Sequence, residues 1–460
     1  MLTSIYYYIY KCYTKYGKWG LMLRLINLEK NEFDNFVKNN KYKSHFLQSL
    51  SWGEFAKAKK NVTPFYLGLI DDEKNIVGAT LLLEKKLPLN YSYFYAPRGF
   101  VLDYSKKNIL KEMTKKVVEF CKKKKAIFLK IDPDLIKEKE SCTGEKTTYD
   151  NTFYNNLLEV GFKHQGFTKN FETNQPRYTF RIDLTKGLEE VENCFSKTTK
   201  QRIAKAEKLN IETYIGNKNN IKDFYYLMQL TENRKDFISY NESYYETLYE
   251  VLNGNPSTKA ILFIGKIVFS KTIKELEKNL KIVNNQISIL PIDNLSKSAK
   301  TKLQELKKQK DNIKLDIEKY KEAKKEYGDS LILSAHMLIQ YGNKCWVLYA
   351  GNHNVLSETY TNYLTYREHI RYAINNQLEI YDQFGTIGDL SKDNPRIGLH
   401  EFKKKFGGDY IEFLGEWDYI INPIMYFVYT KLIPIYRNFV RKKSKKVLKN
   451  EIDNIKWKRI

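Results

Sequence analysis

The chain contains 460 residues, of which 42% are hydrophobic and 29% charged, so it is neither wholly disordered nor collagen-like. At roughly 150 residues per domain, this length predicts two or three domains. The formal net charge of +24 predicts a partner rich in phosphate, an anionic membrane surface, or both. An AT-rich genome also favours Lys, Asn, Ile and Tyr, so part of this charge has a purely compositional explanation.

The cysteines and histidines give no metal or disulfide pattern. Five Cys and six His residues form neither a C-x-x-C nor an H-x-x-x-H pair, which argues against a zinc site and fits a reducing cytoplasm. No apolar run reaches the length of about 18 residues that a transmembrane helix needs. The first 21 residues do not resemble a signal peptide, and we expect an appendage there or a true start at Met22.

Two mixed α/β domains are predicted from alternating strand-like and helix-like segments. The first spans residues 22–185 and is completed at about 410–425. Its predicted strands are 65–70, 77–84, 91–97, 126–134 and 178–184, around a helix at 108–124. The second domain spans 186–270 and 328–409. Its predicted helices are 197–208, 221–234 and 242–252, and its strands are 261–269, 331–341 and 344–351.

Residues 271–327 interrupt the second domain with a different pattern. Apolar residues step by three and four positions from Ile273 to Leu290 and again from Leu303 to Tyr320, around a turn at 291–296. This spacing predicts an antiparallel coiled-coil hairpin. The segment holds 15 Lys against nine acidic residues, so it is either a phosphate-binding arm or a solvated spacer.

Ten motifs occur in order along the chain. They are FLQSLSW (46–52), YAPRGFVLDY (95–104), KIDPD (130–134), QPRYTFRIDL (175–184), KTTKQRIAKAEK (197–208), TENRKDF (231–237), YAG (349–351), YDQFGTIG (381–388), GLHEFKKKFGG (398–408) and FLGEWD (413–418). In this order and spacing the chain resembles the FemABX family, non-ribosomal aminoacyltransferases that build the interpeptide bridges of peptidoglycan. The resemblance covers about residues 22–425.

The resemblance implies a fold, a reaction and a set of partners. The implied fold is two GNAT-like α/β domains in tandem with a coiled-coil hairpin inserted in the second. The implied reaction moves an amino acid from aminoacyl-tRNA to the side-chain amine of the third stem-peptide residue of lipid II or its precursor UDP-MurNAc-pentapeptide. No cofactor is implied. Besides these substrates, the implied partners are the anionic inner face of the cell membrane and related bridge-forming transferases.

Two residues are implied to be catalytic. Lys403 matches a family lysine that stabilises the charge developing on the ester carbonyl, although Lys404 and Lys405 leave this register open. Asp132 matches a carboxylate proposed as the base that accepts the amine proton. The alternatives are a solvated lysine cluster for Lys403 and a strand-ending turn cap for Asp132. We identify no Ser-His-Asp or Cys-His arrangement, which argues against a covalent intermediate.

Four further residues are predicted to bind substrate. Arg98 beside Gly99 is placed to clamp a phosphate, with a structural ion pair as the alternative. Tyr244 and Tyr349 match family tyrosines that contact the sugar peptide, and Phe402 is predicted to position substrate unless it is ordinary core.

Two positions depart from the family members that use the UDP-linked substrate. Tyr240 replaces an Arg that contacts the pyrophosphate, and Ala56 replaces a Lys for which the adjacent Lys57 is the predicted substitute. These departures favour lipid II as the acceptor.

A basic, aromatic C-terminal tail is predicted at 426–460. Residues 419–440 are apolar and aromatic but are interrupted by Asn422, Pro423, Lys431 and Pro434, so we expect them to lie in a membrane interface rather than span it. From Lys431 onward the chain carries 11 basic and two acidic residues. The alternative is that 419–430 packs on the first domain and that 441–460 is a solubilising tail.

Two other functions would each explain part of the sequence. An acyl-CoA-dependent GNAT N-acyltransferase needs a Gly-rich turn at a helix N-terminus, but the basic helix KQRIAKAEK (200–208) contains no glycine. A non-enzymatic basic protein that binds RNA or membrane would explain the charge but not the ordered motifs at 95–184 and 381–418.

Overall fold

A computed structural model describes residues 23–40, 44–235, 239–290 and 296–436. The predicted N-terminal appendage and the tail from residue 437 onward lie outside these ranges, as does most of the predicted turn at 291–296. Within them the chain forms a mixed α/β fold, as the sequence predicted.

The strands alternate with helices along the described chain. The strands are β1 (Arg24–Asn27), β2 (Thr63–Ile70), β3 (Ile76–Lys86), β4 (Ser92–Ala96), β5 (Ala126–Ile131), β6 (Ile136–Glu140), β7 (Lys146–Thr148), β8 (Lys163–His164), β9 (Tyr178–Asp183), β10 (Glu212–Gly216), β11 (Thr258–Val268), β12 (Ser330–Tyr341), β13 (Lys344–Asn352), β14 (Ile380–Asp382), β15 (Asp409–Phe413) and β16 (Trp417–Ile420).

Three helices begin directly after a serine that caps their N-terminus. Ser49, Ser196 and Ser296 each accept a backbone N–H from the first turn of the helix that follows. The helices are α1 (Lys30–Lys38), α2 (Leu50–Lys60), α3 (Lys107–Lys123), α4 (Thr152–Glu159), α5 (Leu188–Asn193), α6 (Lys197–Lys208), α7 (Ile221–Lys235), α8 (Glu242–Asn253), α9 (Phe269–Ser288), α10 (Lys297–Tyr327), α11 (Thr361–Asn375), α12 (Ile397–Lys404) and α13 (Pro423–Phe427).

The first compact unit contains the described residues within 23–135, 150–167 and 414–436. Its seven-stranded sheet has the order β1-β2-β3-β4-β5-β16-β8, and only the pair β4–β5 is parallel. Apolar side chains from the sheet and from α3 form its core, among them Leu69, Leu82, Phe94, Val117 and Leu129. The sheet therefore brings the end of β4 next to the end of β5.

The second unit contains the described residues within 136–149 and 168–413. Its nine-stranded sheet has the order β10-β11-β12-β13-β14-β9-β15-β6-β7. The first domain was predicted to run from 22 to 185, but β9 pairs with β14 and β15 and so belongs to the second unit. Its partners lie about 200 residues away in sequence, which local periodicity does not reveal.

Two helices, α9 and α10, are inserted between neighbouring strands of the second sheet. β11 ends at Val268, which pairs with Ser330 at the start of β12, and both helices lie between these two residues in the chain. The predicted apolar positions Leu276, Val283, Leu306, Ile313 and Ile317 are buried in the core of this unit. We call residues 269–290 and 296–327 the helical arm.

No helix in the described part of the chain is both long enough and apolar enough to cross a membrane.

Candidate functional site

Asp132 lies in the first unit, where the parallel strands β4 and β5 end side by side. Its Oδ1 accepts the backbone N–H of Arg98 at 2.6 Å, and its Oδ2 accepts the hydroxyl of Tyr95 at 2.8 Å. Arg98 and Gly99 have φ values of 59° and 77°, and a Cβ on Gly99 would lie 2.9 Å from Cα of Pro133. This tight turn therefore requires a glycine at position 99, and the Asp132 carboxylate helps to fix the turn.

The burial of Asp132 makes it a weaker acid than usual. Burial raises the pKa of Asp132 to about 7, although the Arg98 charge and the Tyr95 hydroxyl both favour the ionised form. An ionised carboxylate has about four acceptor positions, so these two hydrogen bonds leave room for a substrate proton. The predicted base and the alternative turn cap are thus compatible roles for one side chain.

Arg98 is 6% exposed, and its charge acts on Asp132. Both the phosphate clamp and the structural ion pair remain predictions for its guanidinium group.

The first unit contains a second polar cluster that the sequence did not predict. Lys130 on β5 lies 2.9 Å from both Glu416 and Asp418, and Tyr426 donates its hydroxyl to Asp418 at 2.8 Å. The acidic residues of this cluster overcome the burial of Lys130 and raise the pKa of its amine. Lys130 and Asp418 face each other across β5 and β16. Both lay within recognised motifs, but only the pairing of strands nearly 290 residues apart brings them together.

Lys403 lies in the second unit, near the end of α12, and is 6% exposed. Its Nζ donates to the carbonyls of Gln383, Phe384 and Gly385 at 2.6, 2.9 and 2.7 Å. Burial lowers the pKa of Lys403 to about 7, and the charge of Asp382 opposes this shift. Lys403 therefore anchors three consecutive carbonyls of the loop after β14.

The geometry of Lys403 rules out one alternative and constrains its predicted role. The side chain is not part of a solvated lysine cluster, because it is buried while Lys404 is exposed. It also does not present an uncommitted cation, since an ammonium group has three N–H donors and all three are directed at carbonyls. To bind an oxyanion, Lys403 would have to release at least one carbonyl.

Phe402 packs among aromatic side chains of the second unit. Its ring centroid lies 5.0 Å from Tyr363, 4.9 Å from Tyr366 and 5.2 Å from Phe406. Phe402 is thus partly buried against the core of the second unit, and its role in positioning substrate stays a prediction.

The structure brings the predicted tyrosines Tyr244 and Tyr349 together. Their hydroxyl oxygens are 3.2 Å apart, and Tyr240 stacks on Tyr244 with ring centroids 3.7 Å apart at 6°. Burial raises the pKa of both Tyr244 and Tyr349, so the pair stays neutral at physiological pH. Tyr240 is 47% exposed and therefore presents an aromatic face to solvent.

Lys57 is exposed on α2. Burial opposes a lowered pKa of Glu54, but hydrogen bonds from Lys30 and Tyr66 lower it, with a smaller contribution from the charge of Lys57. The neighbouring Ala56 is fully buried, so Lys57 cannot occupy the same position in space as a lysine at 56 would.

A groove of about 1030 Å³ lies at the foot of the helical arm, and no predicted site residue lines it. Its charged lining is balanced between basic residues (Lys271, Lys274, Lys278, Lys281 and Arg367) and acidic residues (Glu207, Glu212, Glu275, Glu277 and Glu368). Such a lining does not favour a polyanion. The described residues contain no group of three or more His, Cys, Asp or Glu side chains suited to a metal ion.

Comparison with known proteins gives consistent matches over most of the chain. The profile of the FemAB family matches residues 28–433. The lipid II:glycine glycyltransferase of Staphylococcus aureus is 28% identical over 414 residues, which cover 87% of this chain and 94% of that protein. The enzyme of the same name from Staphylococcus epidermidis is 28% identical over 417 residues, with coverages of 89% and 95%. A crystal structure of FemX superposes with a TM-score of 0.72 at 27% identity, covering 88% of this chain and 99% of that one.

The chain belongs to the FemAB family, because the family profile spans nearly the whole sequence. On that basis it is an aminoacyltransferase.

Proposed function

We propose that this enzyme transfers an amino acid from aminoacyl-tRNA to the side-chain amine of the third stem-peptide residue of lipid II, and so builds the peptidoglycan cross-bridge. The observation that carries the proposal is the similarity, over 87–89% of the chain, to two enzymes named lipid II:glycine glycyltransferase. In the same proposal, the two units are GNAT-like domains in tandem and the helical arm is an antiparallel coiled coil.

The reaction is the aminolysis of an ester. The acceptor amine loses a proton and attacks the ester carbonyl, the C–N bond forms, and the C–O bond to the tRNA ribose breaks while the ribose oxygen gains a proton. Asp132 is the base in this proposal, because a carboxyl with a pKa of about 7 is both partly ionised at neutral pH and basic enough to accept a proton.

Lys403 is proposed as a positioning residue in the second unit. Its three hydrogen bonds fix the loop Gln383–Gly385. A loop that is already held in one conformation needs no reorganisation during the reaction, so Lys403 acts through this loop and not as a direct ligand of the oxyanion.

The stacked pair Tyr240–Tyr244 is proposed as a platform for the acceptor. An exposed aromatic face suits the apolar side of a sugar ring, whereas an Arg at position 240 would suit a pyrophosphate. For this reason we propose lipid II, rather than the UDP-linked precursor, as the acceptor.

The helical arm is proposed to bind the phosphates of tRNA through one half of α10. Residues 297–314 contain seven Lys and two acidic residues, whereas 315–327 contain four of each. In the second half, Lys319 pairs with Glu358, Lys321 with Glu318 and Lys325 with Glu322. Within the described residues, none of the seven lysines at 297–314 forms an ion pair. Those lysines are therefore available for phosphate.

We expect the triple variant Lys300→Gln, Lys307→Gln, Lys314→Gln to bind tRNA more weakly than the parent. Three lost phosphate contacts should reduce the slope of log affinity against log salt by about two. The matched control is Lys319→Gln, Lys321→Gln, Lys325→Gln, which removes the same charge from the paired half. Affinity titrations at several salt concentrations measure both, and equal slopes for the two variants would show that the arm is a spacer.

The described C-terminal segment is proposed to rest on an anionic membrane surface. One side of this segment packs on the strands of the first unit. The ring centroid of Tyr429 lies 5.9 Å from that of Phe128 and 5.6 Å from that of Tyr93. The other side exposes Ile424, Phe427 and Ile435 by 77%, 56% and 66%. The chain from Lys431 onward adds nine net positive charges, each worth about 1 kcal/mol near an anionic surface.

The double variant Phe427→Ser, Ile435→Ser should lose much of the binding to anionic vesicles while it keeps the parent's unfolding temperature, because both side chains are exposed. Co-sedimentation with anionic and with neutral vesicles measures this. Leu89→Ser, at a residue that is 83% exposed elsewhere, is the control. If the double variant and the parent sediment equally, the apolar face takes no part in binding.

Mass spectrometry of muropeptides after deletion of the gene tests the proposed function in the cell. We expect cross-bridges that lack one or more amino acids, and restoration of these residues by the parent gene. Unchanged muropeptides would contradict the proposal.

A further inference from the structure

Two cysteines that are distant in sequence meet at the surface of the second unit. The Sγ atoms of Cys142 and Cys194 lie 3.4 Å apart, although 52 residues separate them. Both are free, exposed thiols, whereas Cys121 and Cys345 are buried. A disulfide bond needs its two sulfurs at about 2.05 Å, so a small side-chain movement separates this pair from a covalent bond.

Cys142 lies on the hairpin that joins β6 and β7 at the edge of the nine-stranded sheet. The turn is closed by Ser141, whose N–H donates to the carbonyl of Glu145 at 2.8 Å and whose carbonyl accepts the N–H of Gly144 at 2.9 Å. β7 is three exposed residues long and pairs with β6 alone within the described sheet. The hairpin is therefore held mainly by the pairing of β6 with β15.

Cys194 is held in place by the neighbouring backbone. It follows α5, and a Cβ on Gly407 would lie 2.8 Å from the Cβ of Cys194. The next helix is tied to the same place, because the N–H of Ser196 donates to the carbonyl of Lys405 at 2.9 Å. A bond from Cys142 to Cys194 would thus fasten the edge hairpin to the turn that follows α12, the helix that carries Lys403.

We propose that Cys142 and Cys194 form a redox-active dithiol that closes to an intrachain disulfide when a peroxide oxidises it. One thiolate attacks hydrogen peroxide and becomes a sulfenic acid, with the displaced oxygen leaving as water after it gains a proton. The second thiol then attacks the sulfenic sulfur and releases a second water. Each sulfur is oxidised by one electron and each peroxide oxygen is reduced by one, so two thiols and one peroxide give one disulfide and two waters. A thiol reductant reverses the bond.

The chemistry around the pair suits a reversible bond rather than a permanent one. Burial and the neighbouring Cys142 raise the pKa of the Cys194 thiol, so its reactive thiolate becomes more abundant, and oxidation should accelerate, as the pH rises. An exposed disulfide is also open to reducing thiols, which is typical of labile disulfides.

The full-length protein is treated with hydrogen peroxide, and its remaining free thiols are then blocked. After digestion without reduction, its peptides are mapped by mass spectrometry. We expect one cross-linked peptide pair, Cys142 with Cys194, that disappears after reduction. Cys142→Ser and Cys194→Ser should each abolish it, and Cys12→Ser, a matched control, should retain it. Disulfides between chains, or oxidation of each cysteine to sulfonic acid without a cross-link, would overturn the proposal.

A second readout tests whether the bond tethers the hairpin. Lys146 in β7 is a trypsin site with a 63% exposed side chain. Cleavage there requires local opening of the edge, so oxidation should slow it by about tenfold and reduction should restore it. The Cys142→Ser variant should show no such response to peroxide. An equal cleavage rate in the oxidised and reduced parent would show that the bond, if formed, is not a tether.

Discussion

The variant Lys403→Met is expected to lose both stability and activity. Methionine fills a similar volume but leaves the carbonyls of Gln383, Phe384 and Gly385 without their donor. Each unsatisfied buried carbonyl costs about 1–3 kcal/mol. The variant no longer has to bury an amine, which offsets part of this cost, so we expect the free energy of unfolding to fall by about 3 kcal/mol. Turnover should fall more than tenfold even where the protein remains folded, because the loop after β14 loses its anchor.

The neighbouring variant Lys404→Met is the matched control, because Lys404 lies on the same helix but is exposed. Denaturant unfolding and steady-state transfer rates, measured on both variants, separate a loss of fold from a loss of activity. If Lys403→Met kept the parent's stability and turnover, the anchoring role would be wrong. If Lys404→Met alone reduced turnover, the register of the predicted lysine would be shifted by one residue.

The variant Asp132→Asn is expected to lower kcat/KM by about 10²–10⁴, the usual contribution of a positioned proton acceptor. The amide keeps the size of the side chain and can still accept the N–H of Arg98, so the turn should persist. The base must be ionised to act, and its pKa is about 7, so the parent's rate should rise with pH through this value. Asp132→Asn should lack this rise.

The variant Tyr95→Phe distinguishes a catalytic Asp132 from a merely structural one. The Tyr95 hydroxyl donates to the carboxylate and so favours its ionised form. Its removal should raise the pKa of Asp132 and move the rising limb of the pH–rate profile to higher pH. If the rising limb did not move and Asp132→Asn had only a small effect, the role of Asp132 would be limited to fixing the turn.

The ionisation of Asp132 should also affect the stability of the folded protein, which should fall as the pH rises. The folded protein holds the Asp132 proton up to about pH 7, whereas an unfolded chain releases it near 3.8. The contribution of this group to stability is therefore greatest below pH 3.8 and is lost as the pH rises through 7.

Local patterns in the sequence predicted much of the fold. Apolar spacing located α3, the helical arm and most strands within a few residues, because helix and strand periodicity depends on neighbours in the chain. The assignment of β9 to the first domain was wrong, because sheet membership depends on partners about 200 residues away. The pairing of Lys130 with Asp418 was missed for the same reason.

The sequence predicted which residues belong to the candidate site better than it predicted how they are arranged. The resemblance to the FemABX family predicted Asp132, Lys403, Tyr244 and Tyr349, and the structure joins the two tyrosines as a hydrogen-bonded pair. The three consecutive lysines at 403–405 look alike in the sequence. Only the phase of α12 relative to the loop after β14 makes one of them buried and fully hydrogen-bonded. The meeting of Cys142 and Cys194 likewise depends on tertiary packing and leaves no local signal.

The most direct test of the proposed function is transfer of label in a purified system. The full-length protein is incubated with lipid II and with tRNA charged with a mixture of radiolabelled amino acids, in the absence of CoA. We expect label on lipid II that survives base treatment, as an amide does and an ester does not, and much less label on UDP-MurNAc-pentapeptide. Absence of labelled lipid II with every charged tRNA, or acylation that requires an acyl-CoA, would contradict the proposed function.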